Sequence, residues 1–191
     1  MTNKTMKYTL IFILALFTFS ICQAQELIKI RDTINHFEIG VPIGWKYGTP
    51  VNKSLAFMAL RQKQSDDDQP RENFNINILS HYEIDLNKSY KQFLESIGQA
   101  KGFRILNQGD KIILNRKYKY LIEIHKNTIT NENMTNYIFF TNDNGKILIL
   151  TMVTISEKFE KFKETFDSIS NSLIFKTTAN NAQKKLLKNN E

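Results

Sequence analysis

Residues 134–155 read MTNYIFFTNDNGKILILTMVTI, and what this stretch requires of its surroundings decides the fold. Two largely apolar runs, 134–141 and 146–155, flank Asn142, Asp143, Asn144 and Gly145. Asparagine and glycine tolerate the positive φ angles of tight hairpin turns, so the two runs are predicted to be neighbouring antiparallel strands. The second run, Ile147 to Ile155, is almost continuously apolar. A strand that is apolar on both sides lies inside a sheet covered on both faces. Helices or loops are therefore expected above and below it.

Working outward, a helix follows the hairpin. Thr154 to Glu157 has the spacing of a capping box, with Ser156 as the alternative cap. Phe159, Phe162, Phe166, Ile169 and Leu173 then form one stripe, the mark of a helix face turned to a core. Before the hairpin, RKYKYLIEIHK (116–126) alternates with Tyr118, Tyr120, Ile122 and Ile124 on one side. Lys117, Lys119, Leu121, Glu123 and His125 take the other, expected to be the wetter face. FRILNQGDKIILN (103–115) reads as the strand before it. From Asp85 the period changes: Leu86, Tyr90, Phe93, Leu94 and Ile97 share a helical face, Asp85 can cap it, and Gly98 or Gly102 can end it. LAFMALR (55–61) and NFNINILSH (73–81) are earlier strands, separated by the charged stretch QKQSDDDQPRE, a solvated loop. HFEIGV (36–41) is a further strand that closes at Pro42 into a turn ending at Trp45, the single tryptophan.

This order, with FEIGVPIGW (37–45) near the start and FEKFKETFDSISNSLIF (159–175) near the end, resembles the PsbP-like and Mog1-like superfamily, including bacterial secreted proteins of the DcrB type. The resemblance covers most of residues 36–175 and rests on packing signatures. It implies an α/β/α sandwich around a mainly antiparallel sheet, with the last helix packed on the sheet. It also implies an assembly, chaperone-like or binding module and not an enzyme.

The first stretch, MTNKTMKYTLIFILALFTFSICQAQ, has Lys4 and Lys7 before the apolar run Tyr8 to Ile21, then Cys22, Gln23 and Ala24. That is the pattern of an export signal cut after Ala24. The run is shorter than the roughly 20 apolar residues of a membrane span. Lipidation of Cys22 is the weaker alternative, because Ile21 replaces the small residue normally found before a lipidated cysteine. The chain thus divides into a signal (1–24), a single α/β domain (25–175) and a polar basic tail (176–191). It is expected in the periplasm or outside the cell, and at a membrane only if Cys22 carries lipid or the signal is retained. The 191 residues carry a formal net charge of +7, with acidic residues interspersed. That balance favours solubility over nucleic-acid binding, and export makes nucleic acid an improbable partner.

The chemistry legible in the chain is sparse. His36, His81 and His125 are not spaced as a metal pair within one element, although residues on separate strands can meet. Ser65, Asp66, Asp67 and Asp68 lack the alternation, mid-loop glycine and closing glutamate of a calcium loop. No serine lies in a Gly-x-Ser-x-Gly elbow, and removal of the signal leaves no thiol. No catalytic residue, metal ligand or cofactor is assigned. Trp45 is expected to seal one end of the core, or, with Tyr47 as a second wall, to line a ligand or partner groove. The expected function is a secreted, non-enzymatic binding or assembly module whose partner is another envelope protein. The alternative is a periplasmic protein that binds a small ligand or metal near Trp45 or on the His81 and His125 face.

Overall fold

The structure, a computed structural model, describes residues 26–51, 55–69, 71–80, 85–143 and 145–175. The signal with Cys22, His81 and the tail 176–191 lie outside the described residues. In chain order the elements are β1 (Leu27–Asp32), β2 (Phe37–Pro42), β3 (Lys46–Gly48), β4 (Phe57–Leu60), β5 (Asn73–Ser80), α1 (Leu86–Ile97), β6 (Arg104–Ile113), β7 (Arg116–Lys126), β8 (Asn133–Asp143), β9 (Lys146–Ile155), α2 (Phe159–Ser172) and β10 (Ile174–Phe175). Among the described residues the strands form a large antiparallel sheet, ordered β3-β4-β5-β9-β8-β7-β6, and a small one, ordered β1-β2-β10.

The hairpin of residues 134–155 sits at the centre of the large sheet. β8 and β9 pair from Met134 with Ile155 to Asp143 with Lys146, and β5 pairs on the other side of β9. Leu148, Leu150 and Met152 of β9 join the larger core with Phe74, Ile76 and Phe139. Ile147 and Ile149 point the other way, into a smaller core with Leu121, Ile138 and Phe140. Alternation along one strand therefore feeds two cores. α1 covers the smaller core, while α2 and the small sheet cover the larger, which makes the α/β/α sandwich.

α1 forms as its stripe requires. The Asp85 carboxylate accepts from the Lys88 N–H at 2.9 Å, and the Gly98 N–H donates to the Leu94 carbonyl at 2.9 Å. Tyr90, Phe93, Leu94 and Ile97 rest on the smaller core, with the Phe93 and Phe140 ring centres 5.3 Å apart. This corrects the view of β7: the face carrying Leu121 and Glu123 is not wet, because α1 lies on that side of the sheet and both residues are buried.

The start of α2 also differs from expectation. Neither Thr154 nor Ser156 caps it. Thr154 remains in β9 with its hydroxyl on Glu72, and the Ser156 hydroxyl accepts from Thr135 at 2.9 Å. A 3-10 turn, Ser156–Lys158, leads into the helix instead. Its stripe does go inward: Phe159, Phe166, Ile169 and Leu173 are buried.

β2 lies between β1 and β10 and is buried along its whole length. β1 had no sequence signal, because this edge strand alternates half-buried and exposed positions without a clean apolar period. Strand β2 turns at Pro42 to Trp45, where the Trp45 N–H donates to the Pro42 carbonyl at 3.1 Å. Gly44, third in that turn, has φ 84°, which a type II turn requires and a side chain resists.

A candidate binding cleft beside Trp45

Trp45 leaves this turn pointing inward. It is 6% exposed, and its ring lies 6.2 Å from Phe74, centre to centre. The indole belongs to the larger core, with one edge on an open cleft of about 1000 Å³. The cleft runs between the turn at Ile43, the β4–β5 connection and the first two turns of α2. Ile43, Arg61, Lys158, Lys161 and Phe162 are among its lining residues.

A buried ion network holds one wall. The Arg61 guanidinium donates through Nη1 and Nη2 to the two oxygens of Asp68, both at 2.6 Å, and through Nε to Glu72 Oε2 at 2.5 Å. The other Glu72 oxygen accepts from Thr154 Oγ1 at 3.2 Å, with Lys158 Nζ at 3.9 Å. The Asp68 carboxylate also accepts from the Gln64 N–H at 3.0 Å, which folds the connection back on itself. Arginine suits this position because its planar fork can satisfy two carboxylates at once.

Each protonation equilibrium follows from that geometry. The Arg61 hydrogen bonds hold the Asp68 carboxyl down to about 2. Burial pushes Glu72 upward, but the Arg61 hydrogen bond and charge outweigh it, and the carboxyl ends below its ordinary value. Arg61 itself is raised, chiefly by Asp68. The ionisable groups of this wall are thus committed to one another. Of the acidic run at 65–68, Asp66 and Asp67 are exposed as a solvated loop requires, whereas Asp68 is drawn into the arginine pair. Nothing local in the sequence signals that the residues at 61, 68 and 72 meet.

Tyr47 does not share the cleft with Trp45. It is 46% exposed, stacks on Phe57 with ring centres 6.1 Å apart, and lines a second cleft of about 630 Å³ with Ile30, Ile34, Pro50, Leu55 and Ile78. The two aromatic residues are therefore walls of different recesses.

On the opposite face of the sheet His125 Nδ1 lies 3.1 Å from Glu123 Oε1. Burial pushes the Glu123 carboxyl up, against the opposing pull of His125 and Asn136. The neighbouring Asn136 Oδ1 is buried without a partner among the described residues. Among those residues no three of His, Cys, Asp and Glu gather as a metal site.

A sheet sandwiched by α1 on one side and by α2 with a small sheet on the other is the PsbP/Mog1-like fold. Solved structures of that fold match this chain. Yeast Mog1p, a Ran-binding protein of Saccharomyces cerevisiae, superposes with a TM-score of 0.59 at 6% identity, over 81% of this chain and 98% of its own. The PsbP protein CyanoP of Synechocystis sp. PCC 6803 gives 0.57 at 14% identity, over 82% and 96%. LpqN of Mycobacterium tuberculosis, involved in cell envelope biogenesis, gives 0.55 at 10% identity, over 78% and 89%. At such identities the likeness is one of fold. No protein-family model and no curated protein matches the sequence.

Proposed function

We propose that this chain is an exported, non-enzymatic binding or assembly module of the bacterial cell envelope, which contacts another envelope protein through the cleft beside Trp45. The observation that carries this reading is the state of the cleft's ionisable wall: the Arg61 guanidinium holds both carboxylates, Asp68 and Glu72, in ion pairs. A general acid or base must be free to gain or lose a proton near the working pH. A carboxylate held low by an arginine instead braces a surface. The cleft joins that braced wall to an apolar rim at Ile43, which is 52% exposed, and to Phe162. Proteins of the same fold include a Ran-binding protein and one involved in cell envelope biogenesis, which accords with a binding role.

The test is affinity capture from envelope extract of the source cells, with the tagged mature chain beside Ile43→Glu, an exposed turn position outside the core. A specific protein captured by the wild type and lost in the variant supports the reading. A protein retained equally by both removes the cleft as the contact surface, and capture of no protein by either form overturns the module. N-terminal sequencing of the chain from the same cells checks export: Gln25 is the expected first residue, and an intact Met1 in the cytosolic fraction contradicts it.

A further inference from the structure

The binding reading leaves open what kind of segment the cleft accepts. Lys158, Lys161, Phe162 and Thr165 recur at helical spacing and form one face along the cleft. Across from them stands Lys63. The acidic groups nearby offset these ammoniums only in part: Arg61, Lys63, Lys158 and Lys161 line the cleft against two lining carboxylates, Glu26 and Asp68, with Glu72 behind them. Asp68 has both oxygens on Arg61. Glu72 gives one oxygen to Arg61 and the other to Thr154, and stands 3.9 Å from Lys158 Nζ, beyond hydrogen-bond reach. Lys161 is exposed, with its Nζ 5.8 Å from the centre of the Phe162 ring. Lys63 pairs with Asp66, at 3.7 Å on the outer surface.

We propose that the cleft receives an acidic peptide segment of the partner, in which aspartate or glutamate side chains meet Lys158 and Lys161 while an adjacent apolar side chain rests between Ile43 and Phe162. This rests on the cleft being the contact surface. The pairing of charge with apolar surface selects the occupant. A free phosphate would engage the ammoniums and leave Ile43 and Phe162 in water, whereas a peptide satisfies both. The volume of about 1000 Å³, open to solvent, accommodates several side chains of an extended segment. The net charge of +7, which becomes +5 once Lys4 and Lys7 leave with the signal, adds long-range attraction for such a partner.

The experiment is a selection of random displayed peptides on the intact chain, followed by titration of the enriched synthetic peptide. Trp45, the single tryptophan, reports occupancy by its fluorescence. Enriched peptides are expected to combine Asp or Glu with Leu, Ile or Phe. The Kd is expected to rise about tenfold, or about 1.4 kcal/mol, in Lys158→Gln/Lys161→Gln. It should stay unchanged in Lys29→Gln/Lys91→Gln, which removes the same charge from exposed positions elsewhere. Enrichment of neutral or basic peptides, equal Kd values in the two double variants, or no enrichment overturns the proposal. An envelope protein that the Lys158→Gln/Lys161→Gln chain still captures, but Ile43→Glu does not, would leave the module standing and remove only the acidic segment.

Discussion

Glu72 and Glu123 are both buried carboxylates, yet removing the charge from each is expected to act in opposite directions. Glu72 faces Arg61, and deleting one partner of a buried pair strands the other. Glu72→Gln is expected to lower stability by about 3 kcal/mol in urea unfolding, the low end for a buried pair, because Asp68 still holds the guanidinium. Its folded value is depressed, as is that of Asp68. Their stabilisation is complete above the ordinary carboxylate values and is lost as pH falls through the folded ones, toward about 2 for Asp68. Glu123 is raised by burial. Its contribution is complete below the ordinary glutamate value and is lost as pH rises through the folded one. Glu123→Gln is therefore expected to unfold at a higher temperature than wild type at about pH 8, with the gap closing toward about pH 4. A thermal melt at both pH values checks this, and a lower midpoint for the variant at about pH 8 would contradict it. Neither environment was legible in the sequence. Glu123 sits in an alternation that reads as a wet face, and only the folded sheet makes it dry.

Helix starts divide in the same way. The Asp85 cap of α1 was legible because donor and acceptor lie within one turn. The capping box before α2 failed because a hydroxyl that could cap is claimed by Glu72, 82 positions away in the chain. At the other end of α2 the helix meets β2 at Gly40, whose N–H donates to Ser172 Oγ at 2.7 Å. A Cβ there would stand 2.8 Å from that oxygen and 2.7 Å from Leu27 Cδ1. Strand and helix approach this closely only because the side chain is absent. Gly40→Ala is expected to destabilise by about 1–3 kcal/mol, the usual cost of overpacking, read as a lower urea midpoint. An unchanged midpoint would mean that the small sheet gives way freely. β1 completes this contact without a sequence signal, since its half-buried and exposed positions follow no regular alternation. The β6–β7 hairpin likewise turns on Leu114 and Asn115, both at positive φ. A leucine there advertises no turn.

The two cores share one sheet, and β9 contributes to both from alternate residues. Loosening either side removes support from the same strands, so the domain is expected to unfold in one transition. Phe140→Ala under α1 and Phe166→Ala on the buried face of α2 should each cost about 3–5 kcal/mol and move the same midpoint. Trp45 fluorescence and far-ultraviolet circular dichroism should then trace coincident curves, and separated curves would show two independent layers. The apolar run at 147–155 and its Asn-Gly turn were enough to require a covered antiparallel sheet, because burying both sides of a strand demands a layer on each. The helical stripes supplied those layers, and the Pro42 to Trp45 turn placed the indole at the end of the core. These are local periodicities, set by residue spacing alone. The cleft is of another kind. Arg61, Asp68, Glu72, Thr154 and Lys158 come from a connection, a strand and a helix start, and no spacing rule unites them. Tertiary structure alone decided that Trp45 and Tyr47 face different recesses, and that Lys158 and Lys161 stand beside a wall whose carboxylates are held by Arg61. The physical reason is that hydrogen bonds and charges act through space, while sequence records only the distance along the chain.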